Sequence, residues 1–303
     1  MRNSRLIVSV FAAALLLPAL AQAQLFRMTP QQMIELTSKN PFERFSDGRP
    51  KIPDALIERA RGVSPEEIFG VLGASGGRGG FRNQYADGFL MTHPNKKLIG
   101  RAFTVQFMPQ RQDLEDVVQA HSQAAGTGRL YNQTVIDMLQ PGDVLVVDLF
   151  GKGEDGTIVG DNLFYYIMKV AKAGGIVVDG SVRDLDEISG MDMPLYYRHG
   201  HPSYLTNVTL TGVNVPIRIG NATVMPGDLV VGDAEGLYFV PPQMVQQVIE
   251  SADKIHIHDE WTRKKFDEGK YKSTEIYSTP KDPALKKEYD DYLAKRLAEL
   301  NKK

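Results

Sequence analysis

The sequence predicts an α/β fold on a parallel sheet, and three observations point there. Residues Gly174 to Ile188 read GGIVVDGSVRDLDEI, in which Ile176, Val177 and Val178 run without polar alternation into Asp179-Gly180. That is the pattern of a strand covered on both faces. Pro141-Gly142-Asp143 and Pro226-Gly227-Asp228 each feed an apolar run that ends in an aspartate, Asp148 and Asp233, so one turn-to-strand unit occurs twice. Two copies are too few for a solenoid and mark related strands of one fold. Between these strands Phe164, Ile167, Met168, Val170 and Ala171 recur at the spacing of a helix stripe.

Of 303 residues, 42% are hydrophobic and 24% charged, an ordinary globular composition that allows one large domain or two. The formal net charge is -2, which gives no indication of a nucleic-acid partner. Cysteine is absent, which excludes disulfides, thiolate metal sites and a cysteine nucleophile.

The chain opens with Arg2 and Arg5, an apolar run from Leu6 to Leu20, and Ala21-Gln22-Ala23 before Gln24. This reads as a cleavable signal peptide over 1–23 and predicts a periplasmic or secreted protein. The run is short for a membrane span, so no stable anchor is expected. Residues 24–61, broken by Pro30, Pro41, Pro50 and Pro53, read as an arm rather than core. Thr29-Pro30-Gln31-Gln32 can open a short helix there.

Ser64-Pro65-Glu66-Glu67 is a stronger start signal, with a serine cap and a glutamate three residues on, and a helix should run to Leu72. The glycine run Gly76-Gly77-Arg78-Gly79-Gly80 lacks the Lys-Ser/Thr of a phosphate loop and reads as a flexible loop. Leu98 to Phe107 reads as a strand, and Asp113 to Ala120 and Tyr131 to Leu139 as helices. Asp143 and Asp228 are expected as turn residues, whereas Asp148 and Asp233, at strand ends, are better placed to face a site. His199 and His201 share one face of a strand and could pair on a metal, but a loop role is favoured because no third histidine is near in sequence. Asn207 to Val224 and Leu229 to Val240 are strand-rich, and a helix begins near Gln243. The core is expected over 62–250, with a charged helical extension over 251–303. In that extension Asp282 caps a helix from Pro283 to Leu300.

Arg183 and Asp184 follow the central strand, where α/β proteins gather functional groups. Arginine offers a donor fork for a carboxylate, and aspartate a hard oxygen for Mg2+ or Mn2+. The same pair could simply decorate the first turn of a helix. Gly160 to Leu163 marks a second helix N-terminus, with Asp161 or Asn162 as a capping residue, and its amides suit an anionic oxygen. An ordinary capped helix fits the same residues.

Taken together, Gly160-Asp161-x-Leu163, GGIVVDGSVRD, the Met-Pro strand, Val215-Pro216-Ile217 and PGDLVVGDAEGLYFVP resemble the RraA-like family. That family includes divalent-metal 4-hydroxy-4-methyl-2-oxoglutarate aldolases and the regulator of ribonuclease activity A. The resemblance covers roughly Ser64 to Val248, with one residue more than usual between Asp161 and Asp179. It implies a β/β/α core like the swivelling phosphohistidine domains, assembled as a homotrimer or hexamer. It also implies Asp184 as the metal ligand, Arg183 as the grip on the substrate carboxylate, and Gly160, Asp161, Asn162 and Leu163 as the loop around a pyruvyl group. The expected activity is metal-dependent carbon-carbon cleavage of a 2-oxo acid, by aldol cleavage or oxaloacetate decarboxylation, with proton transfer steered by Asp161. The alternative is an RraA-like binding or regulatory protein without catalysis.

Overall fold

The structure, a computed structural model, describes residues 27–73, 80–126, 128–129 and 131–300. The signal peptide read over 1–23 and most of the glycine run lie outside them. In chain order the helices are α1 (Pro30–Leu36), α2 (Asp54–Arg59), α3 (Pro65–Leu72), α4 (Gln112–Ala124), α5 (Asn132–Ile136), α6 (Asp161–Lys169), α7 (Leu185–Ser189), α8 (Val245–Asp267), α9 (Ser273–Ile276) and α10 (Pro283–Leu300). The strands are β1 (Tyr85–Ala86), β2 (Leu90–Met91), β3 (Leu98–Pro109), β4 (Asp143–Asp148), β5 (Gly175–Val182), β6 (Leu195–Gly200), β7 (Val208–Val213), β8 (Ile217–Ile219), β9 (Ala222–Val224), β10 (Leu229–Asp233) and β11 (Gly236–Val240).

The helix starts follow local chemistry. Thr29 and Gln32 close one capping box and Ser64 and Glu67 another, while Asp282 Oδ1 accepts from Leu285 N at 2.9 Å to start α10. Helix α5 ends at Ile136, short of the expected Leu139, where the chain turns toward Pro141.

The main sheet runs β1-β11-β10-β3-β4-β5-β6-β2. Its centre, β3 through β6, is parallel as expected, but β10, β11, β1 and β2 add antiparallel flanks, so the sheet is mixed. Strand β3 is long enough to serve two neighbours on one side: its first half pairs β10 and its second half β7, with a register shift between Gln106 and Phe107.

Side chains alternate between two cores. Leu145, Val147, Ile176 and Val178 face a cluster with Val118 of α4, Val135 of α5, Phe164 and Ile167 of α6 and Ile188 of α7. Val144, Val146 and Val177 face the opposite way, against the β8-β9 hairpin. A third cluster seats α2, α3 and α8 on β10 and β11.

The arm is more than a tether. Met33 and Ile52 are buried, and Arg49 reaches the start of β4, where Nη1 and Nη2 donate to Asp143 Oδ1 and Oδ2 at 2.8 and 2.9 Å. Helix α8 crosses the 250/251 junction without a break, and Trp261 on its outer half packs with Ile276, Leu285 and Tyr289. Among the described residues no helix is long and apolar enough to cross a membrane.

Candidate active site

Strand β5 ends at Val182, and the next two residues are Arg183 and Asp184. Asp184 takes a left-handed conformation (φ 58, ψ 40), which aspartate tolerates better than most residues. Its carbonyl accepts from Ile188 N at 3.0 Å and so starts α7. The turn aims its carboxylate at the neighbouring helix.

That helix is α6, and it is delivered by an extra rung beside β5. Ser181 N donates to Gly156 O, Ile158 N to Ser181 O and Arg183 N to Val159 O. Residue 160 therefore lands against the Arg183-Asp184 turn. A Cβ there would stand 2.3 Å from Asp184 Oδ2 and 3.0 Å from Arg183 Nε, so glycine is what the close approach requires.

The capping differs from the sequence expectation. Gly160 itself is the cap residue and has no side chain to offer. Instead Asp184 Oδ2, from 23 residues away, accepts from Asp161 N at 3.2 Å. A carboxylate at a helix N-terminus is favoured by the dipole as well as by the bond. Asn162 N, expected as a free cradle amide, donates to Asp161 Oδ1 at 2.7 Å, and Asn162 Nδ2 meets the same oxygen at 3.0 Å. A bound carboxylate would have to displace that contact to use the Asn162 amide.

Arg183 Nε lies 3.4 Å from Asp184 Oδ2, and both side chains are about one-third exposed (32% and 36%). The guanidinium carbon lies over the Tyr204 ring, 4.8 Å from its centre. Sequence reasoning missed Tyr204, since a lone tyrosine in a loop carries no spacing signal.

Two more aspartates are buried on neighbouring strands, where Asp148 at the end of β4 pairs in register with Asp179 inside β5. Asp179 is neutralised by Arg198, whose Nε donates at 2.7 Å and whose guanidinium stacks on Phe89 at 3.7 Å. Among the described residues Asp148 accepts from the amides of Phe150 and Arg218. Its burial pushes its carboxyl above the ordinary range. His201 Nδ1 sits 2.9 Å from Ser203 Oγ, in the loop role favoured for it. Asp233 faces Lys97 at 3.8 Å, at the other flank of the sheet.

Among the described residues no group of three or more His, Cys, Asp or Glu side chains could hold a metal. What the turn offers is one carboxylate, about one-third exposed. That donor set is unlike the closed nitrogen and sulfur cages of zinc, and it fits Mg2+, which takes one or two carboxylates and fills its octahedron with substrate oxygens and water.

The fold and the site define a mixed-sheet α/β protein that sets an Arg-Asp pair against a helix N-terminus. The chain belongs to the RraA-like family (Aldolase/RraA), which matches residues 55–238, in keeping with the resemblance drawn from the VDGSVRD block. It is 32% identical over 120 residues to a Halalkalibacterium halodurans protein named "Putative 4-hydroxy-4-methyl-2-oxoglutarate aldolase", covering 40% of this chain and 56% of that one. A Pseudomonas aeruginosa protein of the same name is 34% identical over 113 residues, 37% of this chain and 67% of its own. The match thus spans little more than half the length of the first of these relatives. Among solved structures, Streptomyces coelicolor RraAS2, described as an unusual member of the RNase ES inhibitor RraA family, superposes with a TM-score of 0.60 at 29% identity. It covers 71% of this chain and all of its own.

Proposed function

We propose that this protein is a divalent-metal-dependent lyase that breaks a carbon-carbon bond next to a 2-oxo acid. One observation carries the reading: Arg183, Asp184 and the first amide of α6 meet at a position where even a methyl group at residue 160 would collide with the carboxylate. The aldolase names of its relatives support the same reaction class.

Asp184 would hold Mg2+ or Mn2+, which supplies a Lewis acid for the negative charge of a developing enolate. The residues divide the remaining work. Arg183 presents a rigid fork that grips the substrate carboxylate. The N-terminus of α6, from Gly160 through Asp161 and Asn162 to Leu163, faces the same oxygens with its positive dipole end. Asp161, with Oδ1 engaged by Asn162, leaves Oδ2 to accept or return a proton.

In aldol cleavage the substrate hydroxyl loses its proton as its oxygen becomes a carbonyl. The electrons of the broken bond enter the pyruvate enolate, and a proton returned to the enolate carbon completes pyruvate. Oxaloacetate decarboxylation reaches the same enolate with loss of carbon dioxide, so one site serves both.

The Arg183 and Asp184 side chains are partly exposed and the turn brings a single carboxylate, which supports a homotrimer or hexamer in which a neighbouring subunit completes the site. The apolar leader supports a periplasmic or secreted location. The test is pyruvate release by purified protein supplied with Mg2+ or Mn2+ and a panel of 2-oxo acids. Release that needs the metal and disappears on chelation is expected. Its absence across the panel would leave the non-catalytic RraA-like reading.

A further inference from the structure

The segment 201–207, between β6 and β7, is fastened to the loop that leads into Gly160. Asp155 N donates to Ser203 Oγ at 2.7 Å, and Thr206 N donates to Asp155 O at 3.1 Å. Asn207 Nδ2 donates to Asp155 Oδ2 at 2.7 Å and Thr157 Oγ1 to His201 O at 3.1 Å. A β-bridge joins Gly156 to Leu205, whose side chain packs on the core. Ser181 Oγ, from β5, closes the frame by donating to Gly153 O at 2.5 Å.

This frame presents Tyr204 outward, with 71% of the residue exposed, and sets its ring beside the Arg183 guanidinium. The ion pair with Asp184 reaches that guanidinium at Nε, 3.4 Å from Oδ2. A single contact at Nε lets the planar group pivot, whereas a second contact from an aromatic ring restrains it. An arginine fork recognises a carboxylate bidentately only when the two planes are aligned, and arginine pays rotamer entropy for every orientation it must find on binding.

We propose that Tyr204 is a positioning residue for Arg183, and that its ring holds the guanidinium plane in the orientation that receives the substrate carboxylate. The inference rests on Arg183 being the carboxylate grip. Because the segment that carries Tyr204 is fastened to the loop that leads into Gly160, the fork, the Asp184 carboxylate and the α6 N-terminus keep one geometry. The ring, not the hydroxyl, does this, since the attraction is between the cation and the aromatic face.

The experiment measures oxalate binding by calorimetry in Mg2+, together with KM and kcat for pyruvate release, on the full mature chain. Wild type is compared with Arg183→Ala, Tyr204→Leu and Tyr204→Phe. Tyr204→Leu is expected to weaken oxalate binding about two- to five-fold and to shift KM more than kcat. Tyr204→Phe, which keeps the ring, should restore both values. Unaltered oxalate affinity in Tyr204→Leu, or equal weakening in Tyr204→Phe, would overturn the assignment. If Arg183→Ala binds oxalate as wild type does, the carboxylate grip itself is wrong and the positioning role goes with it.

Discussion

Asp184 Oδ2 and Gly160 sit so close that the missing side chain at 160 is part of the site: a Cβ there would lie 2.3 Å from the oxygen. Gly160 has φ -115 and ψ -168, which alanine adopts without strain. Gly160→Ala should therefore spare the backbone and displace the carboxylate. A fall in kcat/KM of at least about ten-fold, about 1.4 kcal/mol of barrier, with little change in Tm, is the expected pairing. Unchanged kcat/KM would show that the carboxylate position is not critical.

For Asp184 itself the left-handed backbone dictates which substitution is informative. Asparagine keeps the tolerated conformation and removes the charge, whereas alanine adds about 1 kcal/mol of backbone cost. Asp184→Asn should abolish metal-stimulated pyruvate release at nearly wild-type Tm, with Asp184→Ala less stable than Asp184→Asn. Retained metal response in Asp184→Asn would remove this residue as the ligand.

Arg183→Lys keeps the positive charge but replaces a planar fork with a point charge. It should weaken 2-oxo acid affinity while leaving the fold intact, as read by KM and by thermal melting. Normal affinity and normal turnover together would take Arg183 out of the site.

The two Pro-Gly-Asp turns differ in one respect. Asp143 is buried against Arg49, while Asp228, equally buried, has only the amide of Met225 on its Oδ2 at 2.9 Å. Desolvation pushes the Asp228 carboxyl up to about 7. A raised carboxyl favours the protonated folded state, so its contribution is fully present below about pH 4 and is lost as pH rises through about 7. Asp228→Asn should remove that loss and gain stability over wild type at pH 8 and far less at pH 4.5. Denaturant melts at the two pH values check the difference, and an equal effect at both would refute the assignment.

Arg49→Ala should cost about 3–5 kcal/mol, because it leaves the Asp143 carboxylate buried and unpaired. A second change, Asp143→Asn, should recover part of that loss by removing the stranded charge. Urea unfolding of the single and double variants measures both steps, and an additive double variant would argue against the coupling.

How much of this was legible in the sequence depended on how local the signal was. Ser64 and Glu67, Thr29 and Gln32, and Asp282 announce helix starts because cap and acceptor lie three residues apart. The unbroken run Ile176-Val177-Val178 announced a buried strand because both of its faces are covered. The antiparallel flanks were not legible, since partner choice for β10 and β11 is made by distant surfaces. Arg49 was hidden in a stretch whose prolines suggested solvent, because its partner lies 94 residues away. At the site, Arg183, Asp184 and Gly160 could be named from the family motif. The sequence did not reveal that Asp184 caps α6 across the fold, that Asn162 spends its amide on Asp161, or that Tyr204 lies on Arg183.

Helix α8, 23 residues long, is a rod of about 35 Å. Its first turns are bolted to the sheet by Val245, Val248, Ile249 and Ala252, and its outer half carries the Trp261 cluster with α9 and α10. The arrangement is that of an outrigger on a stiff boom. Whatever the extension meets, it meets at a fixed reach and bearing from the central sheet, and a load on α10 is transmitted to the β10-β11 flank rather than absorbed by a hinge.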